Sequence, residues 1–342
     1  MFGGAKKLVK KSEVATGVDI GNFAVKVVQL SRKDDTVTMD GFGFAKIDHS
    51  RPDGAVEALK TACLEAKITN KKVNASINSE GAIVRYLMLP EMSGDDLGKA
   101  MEFEIERYVP FDKKDVISDY LVLKERLDTK NLKVLLVAAK KEYFSQRVKI
   151  VKDAGLEPEV MTIDSLVLKN VFQVNYPEKG EKTIGIINIG AKSSNVSIIR
   201  EFVSYFMRDL QLGGESITSL LKEKLDISLE EAERMKCGLL SDDKEKFKIV
   251  EPILGNLLNE VYLSFDYFES EFGRVVDEVY VSGGTVKLSI LINFLKENLN
   301  REVLVFNPVK NIKIAPSISS QRLNTLSSSL VVPIGLALES FD

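Results

Sequence analysis

Two stretches half a chain apart share one pattern, and that pattern restricts the fold more than any other feature. Gly17-Val18-Asp19-Ile20-Gly21-Asn22-Phe23-Ala24-Val25-Lys26-Val27-Val28-Gln29-Leu30 reads as an apolar strand, a tight turn at Gly21-Asn22, and a β-branched returning strand. Gly185-Ile186-Ile187-Asn188-Ile189-Gly190-Ala191-Lys192, followed by Val196-Ser197-Ile198-Ile199, repeats it, with Asn188 and Gly190 standing where Asp19 and Gly21 stand. A single Gly-Asn turn is ordinary hairpin chemistry. Two like hairpins in one chain predict a duplicated α/β fold with a ligand held between the halves. The first turn can offer backbone N–H groups and the Lys26 ammonium to a phosphate, while Asp19 faces a metal.

The 342 residues suffice for a large core and two lobes. With 44% hydrophobic and 28% charged residues the balance is that of an ordinary globular protein, and a formal net charge of −3 exerts no overall pull toward nucleic acid. Cys63 and Cys237 lack metal-ligand spacing and read as reduced thiols of a cytoplasmic protein. His49, the single histidine, sits beside Ser50-Arg51-Pro52 and reads as a surface loop residue. No apolar run approaches the ~20 residues that cross a bilayer. The start, Met1 to Lys11, is basic and lacks a signal-peptide core. It reads either as a frayed tail or as a segment weakly drawn to anionic lipid, at about 1 kcal/mol per basic residue.

Along the chain, Thr36 to Ile47 predicts a short strand pair, and Pro52-Asp53 opens a helix with Val56, Leu59, Cys63 and Ala66 on one face. Lys72 to Ile77 and Ile83 to Leu89 read as strands. Ser93 to Asp96 resembles a capping box ahead of a helix striped with Leu97, Met101, Ile105 and Tyr108 and stopped by Pro110. Strands at Asp119 to Lys124 and Lys133 to Ala139, joined by a polar turn at Asp128 to Asn131, lead to a helix with Phe144, Val148 and Val151. This β-α-β-β-α unit has the pattern of a small inserted subdomain.

A helix from Ser165 to about Asn175 leads through the polar stretch Tyr176 to Lys182 into the second hairpin and a strand over 201–210. Gly213-Gly214-Glu215 opens a helix with Ile217, Leu220, Leu221 and Leu225, and Ser228 to Glu231 is a capping box for the next, which stops at Gly238. Ser241 to Lys248 reads as a charged loop before a long helix striped with Ile253, Leu257, Val261, Phe265, Phe268 and Phe272. A strand at Val279 to Ser282 runs into Gly283-Gly284, then a helix with Leu288, Leu291, Leu295 and Leu299. Pro308 to Leu330 has no strong period and predicts an irregular loop, and Val332 to Leu338 closes the chain as a helix.

The hairpin pair resembles the two phosphate loops of the actin, Hsp70 and sugar-kinase superfamily. A longer succession is more specific: Arg85-Tyr86-Leu87-Met88-Leu89-Pro90, Glu106-Arg107-Tyr108-Val109-Pro110-Phe111, Val137-Ala138-Ala139-Lys140-Lys141, Ala154-Gly155-Leu156-Glu157-Pro158 and Ile163-Asp164. In that order they resemble the PilM family of type IV pilus assembly proteins, over almost the whole chain from Phe2 to Leu338. The resemblance implies an α/β fold of actin-like (ribonuclease H-like) duplicated lobes with an inserted 1C, SHS2-like subdomain. It divides the chain into residues 1–83, the first part of the first lobe (1A), and 84–160, the inserted subdomain. Residues 161–182 are then a connecting helix and linker, 183–325 the second lobe (2A/2B), and 326–342 a helix returning to the first lobe.

The same resemblance implies ATP and Mg²⁺ as ligands. The phosphates would lie between Gly21-Asn22-Phe23, with Lys26, and Gly190-Ala191-Lys192, and Asp19 would approach the metal through water. Gly213-Gly214-Glu215, with Glu233 and Lys236 on one helix face, would hold ribose and base, and Gly283-Gly284-Thr285 the adenosine. Glycine suits these places because no Cβ blocks flat access to the backbone. The superfamily usually has Asp where this chain has Asn188, and an amide neither carries the charge nor accepts a proton at neutral pH. Losing such a partner costs about 2–4 kcal/mol of transition-state stabilisation. Nucleotide binding with slow or absent hydrolysis is therefore expected, with Asp19 and Asn188 as metal- and water-ordering positions and no confident catalytic residue.

In the resembled family the protein binds the N-terminal cytoplasmic peptide of PilN, in a groove between the first-lobe sheet and the inserted subdomain. That implies a place at the cytoplasmic face of the inner membrane, peripheral to it through PilN and other pilus platform proteins. Candidate groove residues here are Tyr86, Met88, Pro90, Tyr108, Pro110 and Phe111. Two other readings belong to the same superfamily. An FtsA-like membrane-associated filament protein ends in an amphipathic membrane helix, for which the stretch to Asp342 leaves no room. A small-molecule kinase needs a catalytic acid in the first lobe, whereas Asp164 matches the PilM pattern and not a sugar-kinase base.

Overall fold

A computed structural model of the chain describes residues 13–77, 81–123, 131–238 and 244–341. The first lobe opens with β1 (Val14–Ile20), β2 (Ala24–Lys33), β3 (Thr36–Lys46), α1 (Gly54–Ala66) and β4 (Lys72–Ile77). The insertion follows as β5 (Ala82–Pro90), α2 (Gly94–Tyr108), β6 (Val116–Leu123), β7 (Asn131–Lys140) and α3 (Lys141–Asp153). The chain returns through β8 (Glu157–Ile163) and crosses on α4 (Asp164–Asn175). The second lobe comprises β9 (Ile184–Ile189), β10 (Ser194–Arg200), β11 (Val203–Leu210), α5 (Gly214–Leu225), α6 (Leu229–Gly238), α7 (Lys244–Phe272), β12 (Glu278–Ser282), α8 (Ser289–Asn298) and β13 (Glu302–Val305). The chain closes with β14 (Lys313–Ile314), which joins the first-lobe sheet, α9 (Ser320–Leu326) and α10 (Val331–Leu338).

The duplication is visible in the sheets. The first runs in the order β14-β3-β2-β1-β4-β8 and the second β11-β10-β9-β12-β13. In both, three antiparallel strands from consecutive hairpins are extended by parallel strands reached through helices. Between the sheets lies a seam of fully buried side chains from α4 and α10, including Val167, Phe172, Ile334 and Leu336, packed on Val28 of the first lobe and Ile186 of the second. Two glycines set its tightness. A Cβ on Gly17 of β1 would fall 2.0 Å from the Pro333 carbonyl oxygen, and one on Gly335 of α10 would fall 2.5 Å from that of Val167.

The inserted subdomain is a three-stranded sheet, β5-β7-β6. One face packs on α2 through Leu87, Leu89, Leu97, Met101 and Leu136. The other docks on the second lobe, where Leu135 and Tyr86 meet Met207 of β11. Lys133, only 4% exposed, lies in this junction with its ammonium 3.7 Å from the centre of the Phe272 ring and 3.5 Å from the Tyr205 carbonyl, to which it donates. A cation over aromatic faces contributes about 0.5–2 kcal/mol when desolvated, and here it fixes the subdomain against the second lobe.

Several local expectations need correction. Thr36 to Ile47 is one strand and not a pair, because Gly41 and Gly43 are not turn residues. They admit α1, whose Ala66 and Ala62 carbonyl oxygens lie 2.0 and 1.9 Å from where their Cβ atoms would be. α1 accordingly buries Ala58, Leu59, Ala62 and Ala66, with Val56 and Cys63 only partly covered. The long helix begins at Lys244, inside the stretch expected as charged loop, and carries Pro252 within it. Pro308 to Leu330 is not irregular throughout: β14 pairs parallel to β3, and Ser319 caps α9 by accepting from the Arg322 N–H. The capping box at Ser228 forms in both directions, with Glu231 accepting from the Ser228 N–H at 3.0 Å and Ser228 from the Glu231 N–H at 3.2 Å. The expected basic tail and most of the Asp128 turn lie outside the described residues.

The seam makes a stability prediction. Gly17→Ala should destabilise by about 3 kcal/mol, since backbone on both sides blocks the new methyl group. Gly255→Ala, in α7 with nothing within 4 Å of its Cβ, should stabilise by roughly 0.5–1 kcal/mol. Urea unfolding of both variants checks this, and equal losses would contradict the tight seam.

Candidate functional site

Both hairpins close alike. The Gly21 N–H donates to the Ala24 carbonyl at 3.1 Å, and the Gly190 N–H to the Ser193 carbonyl at 3.0 Å. At the strand ends the register places Asp19 opposite Lys26, and Asn188 opposite Asn195. Directly opposed side chains on an antiparallel pair share a face. In the first lobe the result is an ion pair, Lys26 Nζ to Asp19 Oδ2 at 2.7 Å. In the second it is two amides: Asn188 accepts from the Ser282 hydroxyl at 3.2 Å, and Asn195 donates to Asp209 at 2.8 Å. Asn188 is thus half of a matched exchange in which the acid and its cross-strand lysine are both replaced by neutral residues.

The sequence-predicted residues of the second lobe converge. The Gly190 carbonyl accepts from the Gly214 N–H at 3.0 Å and the Thr285 hydroxyl at 2.8 Å, and the Ala191 carbonyl accepts from the Glu215 N–H at 2.7 Å. Lys236 donates to Glu233 at 2.6 Å, to the Thr218 hydroxyl at 2.8 Å and to the Gly214 carbonyl at 3.2 Å. Although burial opposes it, the hydrogen bonds from Lys236 and Thr218 hold the Glu233 carboxyl below its ordinary pKa. Gly283 has φ +98 and sits against Ile189, so any side chain there is strained. Gly284 differs: it is exposed, and a Cβ would meet only the Ser329 hydroxyl, at 3.7 Å. Packing does not demand glycine at 284, which leaves a flat surface open to a ring.

In the first lobe, Gly21 is crowded by the Lys26 ammonium and the Ala24 carbonyl, and Phe23 is 39% exposed beneath the Lys46 ammonium, 5.2 Å from its ring centre. Asn22 is part of the same loop, and its carbonyl accepts from His49 Nε2 at 2.7 Å. His49 is exposed as expected, but it braces this loop. Lys192 is exposed on the other hairpin. Among the described residues no group of three or more His, Cys, Asp or Glu could hold a metal ion, so Mg²⁺ here would depend on phosphate oxygens and water, with Asp19 as the adjoining carboxylate.

One residue without an assigned role proves central. Asp164 starts α4 where the lobes meet, and part of the residue reaches solvent while its carboxyl is enclosed. Burial, then the negative charges of Asp209 and Asp19, push that carboxyl up to about 8, against the Ser165 N–H, which donates to it at 2.9 Å, and Lys26. Asp209 is raised too, by burial. One carboxyl therefore senses the polar strand ends of both lobes. In sequence Asp164 looks like any acid at a helix start, and its enclosure is purely tertiary.

The six candidate peptide residues do not share a groove. Pro90 pairs with Asn131 at the start of β7, whereas Phe111 lies under Lys140 at its end, about 30 Å away along the strand. Tyr86 is packed into the junction with the second lobe, and Tyr108 belongs to the subdomain core. Met88 is half exposed, on the sheet face opposite Leu87 and Leu89, and Pro110 is exposed after α2. A groove between the first-lobe sheet and the subdomain does exist elsewhere. It has a volume of 610 Å³ and lies between α3 and the edge strand β8, lined by Phe144, Val148, Leu156, Pro158 and Met161, with Lys152, Glu157 and Glu159 at its sides.

Asp164 gives a pH prediction. A carboxyl whose pKa is higher folded than unfolded binds its proton better in the folded state, so its contribution is lost as pH rises from about 4 through about 8. Replacing it by Asn should raise stability at pH 8.5 relative to the native chain, on the order of 2 kcal/mol, and flatten the pH dependence between. Urea midpoints measured from pH 4.5 to 8.5 decide it, and parallel curves for the two proteins would contradict the enclosed carboxyl.

Comparison with known proteins fixes the family. A solved structure titled "PilM-PilN type IV pilus biogenesis complex" matches with TM-score 0.87 at 22% identity, covering 97% of this chain and 99% of that one. The ethanolamine utilization protein EutJ of Carboxydothermus hydrogenoformans matches with TM-score 0.56 at 14% identity over 96% of this chain and 90% of its own. Component A of the (R)-2-hydroxyglutaryl-CoA dehydratase of Acidaminococcus fermentans matches with TM-score 0.51 at 11% identity, over 96% and 98%. The fold is thus the α/β, actin-like architecture of duplicated lobes. The family model described as type IV pilus assembly protein PilM matches residues 17–341, and the chain belongs to that family.

Proposed function

We propose that this chain is a nucleotide-binding scaffold of the type IV pilus inner-membrane platform. In this reading MgATP sits between the two hairpins, and the short N-terminal cytoplasmic peptide of PilN occupies the groove between β8 and α3. The observation that carries the reading is that groove. β8 ends its sheet among the described strands, so its outer edge has backbone groups available to an extended chain, while α3 supplies an apolar wall. The charged sides at Lys152, Glu157 and Glu159 would fix the direction of the peptide. Among the described residues no helix is long and apolar enough to cross a membrane, which agrees with attachment to the cytoplasmic face of the inner membrane through PilN and other platform proteins.

Nucleotide binding is supported by the convergence of Gly190, Gly214, Thr285, Glu233 and Lys236, and by the open surface at Gly284. The paired exchange puts an amide, Asn188, where the first lobe has Asp19, and the acid across from Asn195, Asp209, is already engaged by that amide at 2.8 Å. Slow or absent hydrolysis follows, and the chain works by binding.

Two measurements test the reading. Fluorescence anisotropy with a labelled PilN N-terminal peptide should show Val148→Asp and Lys152→Glu each weakening binding by about tenfold or more, with Met88→Asp unchanged. Undiminished binding by both groove variants would refute the groove. Single-turnover hydrolysis of Mg-ATP should be slower in the native chain than in Asn188→Asp by at least about tenfold. Brisk native turnover would refute the binding-only role.

A further inference from the structure

We propose that Arg147 makes α3 a lever coupling occupancy of the β8–α3 groove to the first phosphate loop, an inference that rests on the two sites as read above. Phe144, Val148 and Lys152 recur one helical turn apart and line the groove. Tyr143 and Arg147, one residue earlier in each of the first two turns, form the adjacent stripe, about 100° round the helix. Arg147 Nη1 donates to the Ile20 carbonyl at 2.9 Å, while its Nη2 and Nε donate to the Tyr143 hydroxyl at 2.7 and 3.2 Å. Ile20 is the last residue of β1, between Asp19 and Gly21. One helix therefore lines the groove with one stripe and touches the backbone of the phosphate loop with the next.

The packing makes the link mechanical. Val151, fully buried, lies between the two stripes and is embedded with Val18, Ile20 and Val25. Side chains at interior density transmit displacement and do not absorb it. Tyr143 is held in turn at the root of the subdomain, where a Cβ on Gly81 would fall 1.9 Å from its ring. The Gly21 amide belongs to the same peptide group as the Ile20 carbonyl, ahead of the loop's ties at Phe23, whose carbonyl accepts from the Ile47 N–H at 3.0 Å, and at Asn22, which meets His49. A shift of the Ile20 carbonyl thus carries the Gly21 amide and the Asp19 carboxylate with it. Neither role is visible from sequence, where Arg147 is one more cation on a charged helix.

The test is the coupling factor, which a merely structural arginine would not move. In the full chain, Mg²⁺ and the fluorescent nucleotide mant-ATP are titrated with and without saturating PilN N-terminal peptide. The wild-type Kd for mant-ATP should change by about fivefold or more on peptide addition, and the peptide Kd by the same factor when nucleotide is saturating. In Arg147→Met the factor should fall to within about twofold of unity, with each separate affinity within about threefold of wild type. Arg147→Lys, which keeps a donor, and Tyr143→Phe, which loosens the guanidinium, should give intermediate factors. A wild-type factor of one with both ligands bound, or an undiminished factor in Arg147→Met, overturns the lever and leaves both sites standing. Failure of either ligand to bind the wild-type chain overturns the functional reading, and the lever with it.

Discussion

Everything in this molecule is hung on the contact of α10 with β1 and α4. At Gly17 and Gly335 backbone lies against neighbouring backbone or Cβ, closer than any side chain permits. That approach lets two short apolar segments fill the space between two sheets and present fully buried side chains to both lobes at once. The chain crosses between the sheets on α4, which begins directly after β8. Asp164 stands at that start, where burial and then the charges of Asp209 from one lobe and Asp19 from the other raise the pKa of its carboxyl.

The two halves of the cleft are alike in backbone and unlike in charge. The first hairpin keeps an acid and its lysine, a pair able to respond to phosphate and metal. The second keeps two amides tied to Ser282 and Asp209. In the proposed reading this asymmetry suits a chain that would bind nucleotide to set a shape and not to turn it over. The insertion is tied to both lobes: α3 leans on the first hairpin, and Lys133 secures the subdomain in an aromatic enclosure of the second lobe. A subdomain tethered to both lobes is well placed to register their closure.

The hairpins, the glycine pairs and the insertion were legible because each depends on local chemistry: Gly and Asn at turns, alternation in strands, Ser-x-x-Glu at a helix start. Asn188 was legible as a lost acid, but its companion Asn195 needed the strand register. What local chemistry could not show was tertiary. Gly41 and Gly43 look like turn residues until α1 is seen lying on them. The charged run ahead of Ile253 is helical because α7 continues through Pro252, and α9 is too short to show a period. The six peptide candidates came from two separate family motifs, and the structure sets Pro90 of one and Phe111 of the other at opposite ends of β7. Residues of α3 were read only as a helix face and those of β8 only as part of the family motifs, since a groove between distant segments leaves no spacing to find.

Closure of the two β-turns on one triphosphate is tested most directly by a crystal structure of the full chain with Mg²⁺ and a non-hydrolysable ATP analogue. Phosphate density is expected between Gly21–Phe23 and Gly190–Lys192, with the purine lying on Gly284 beside Glu233 and Lys236. Density for the analogue elsewhere, or side chains from α4 and α10 filling the space between the turns, would contradict it.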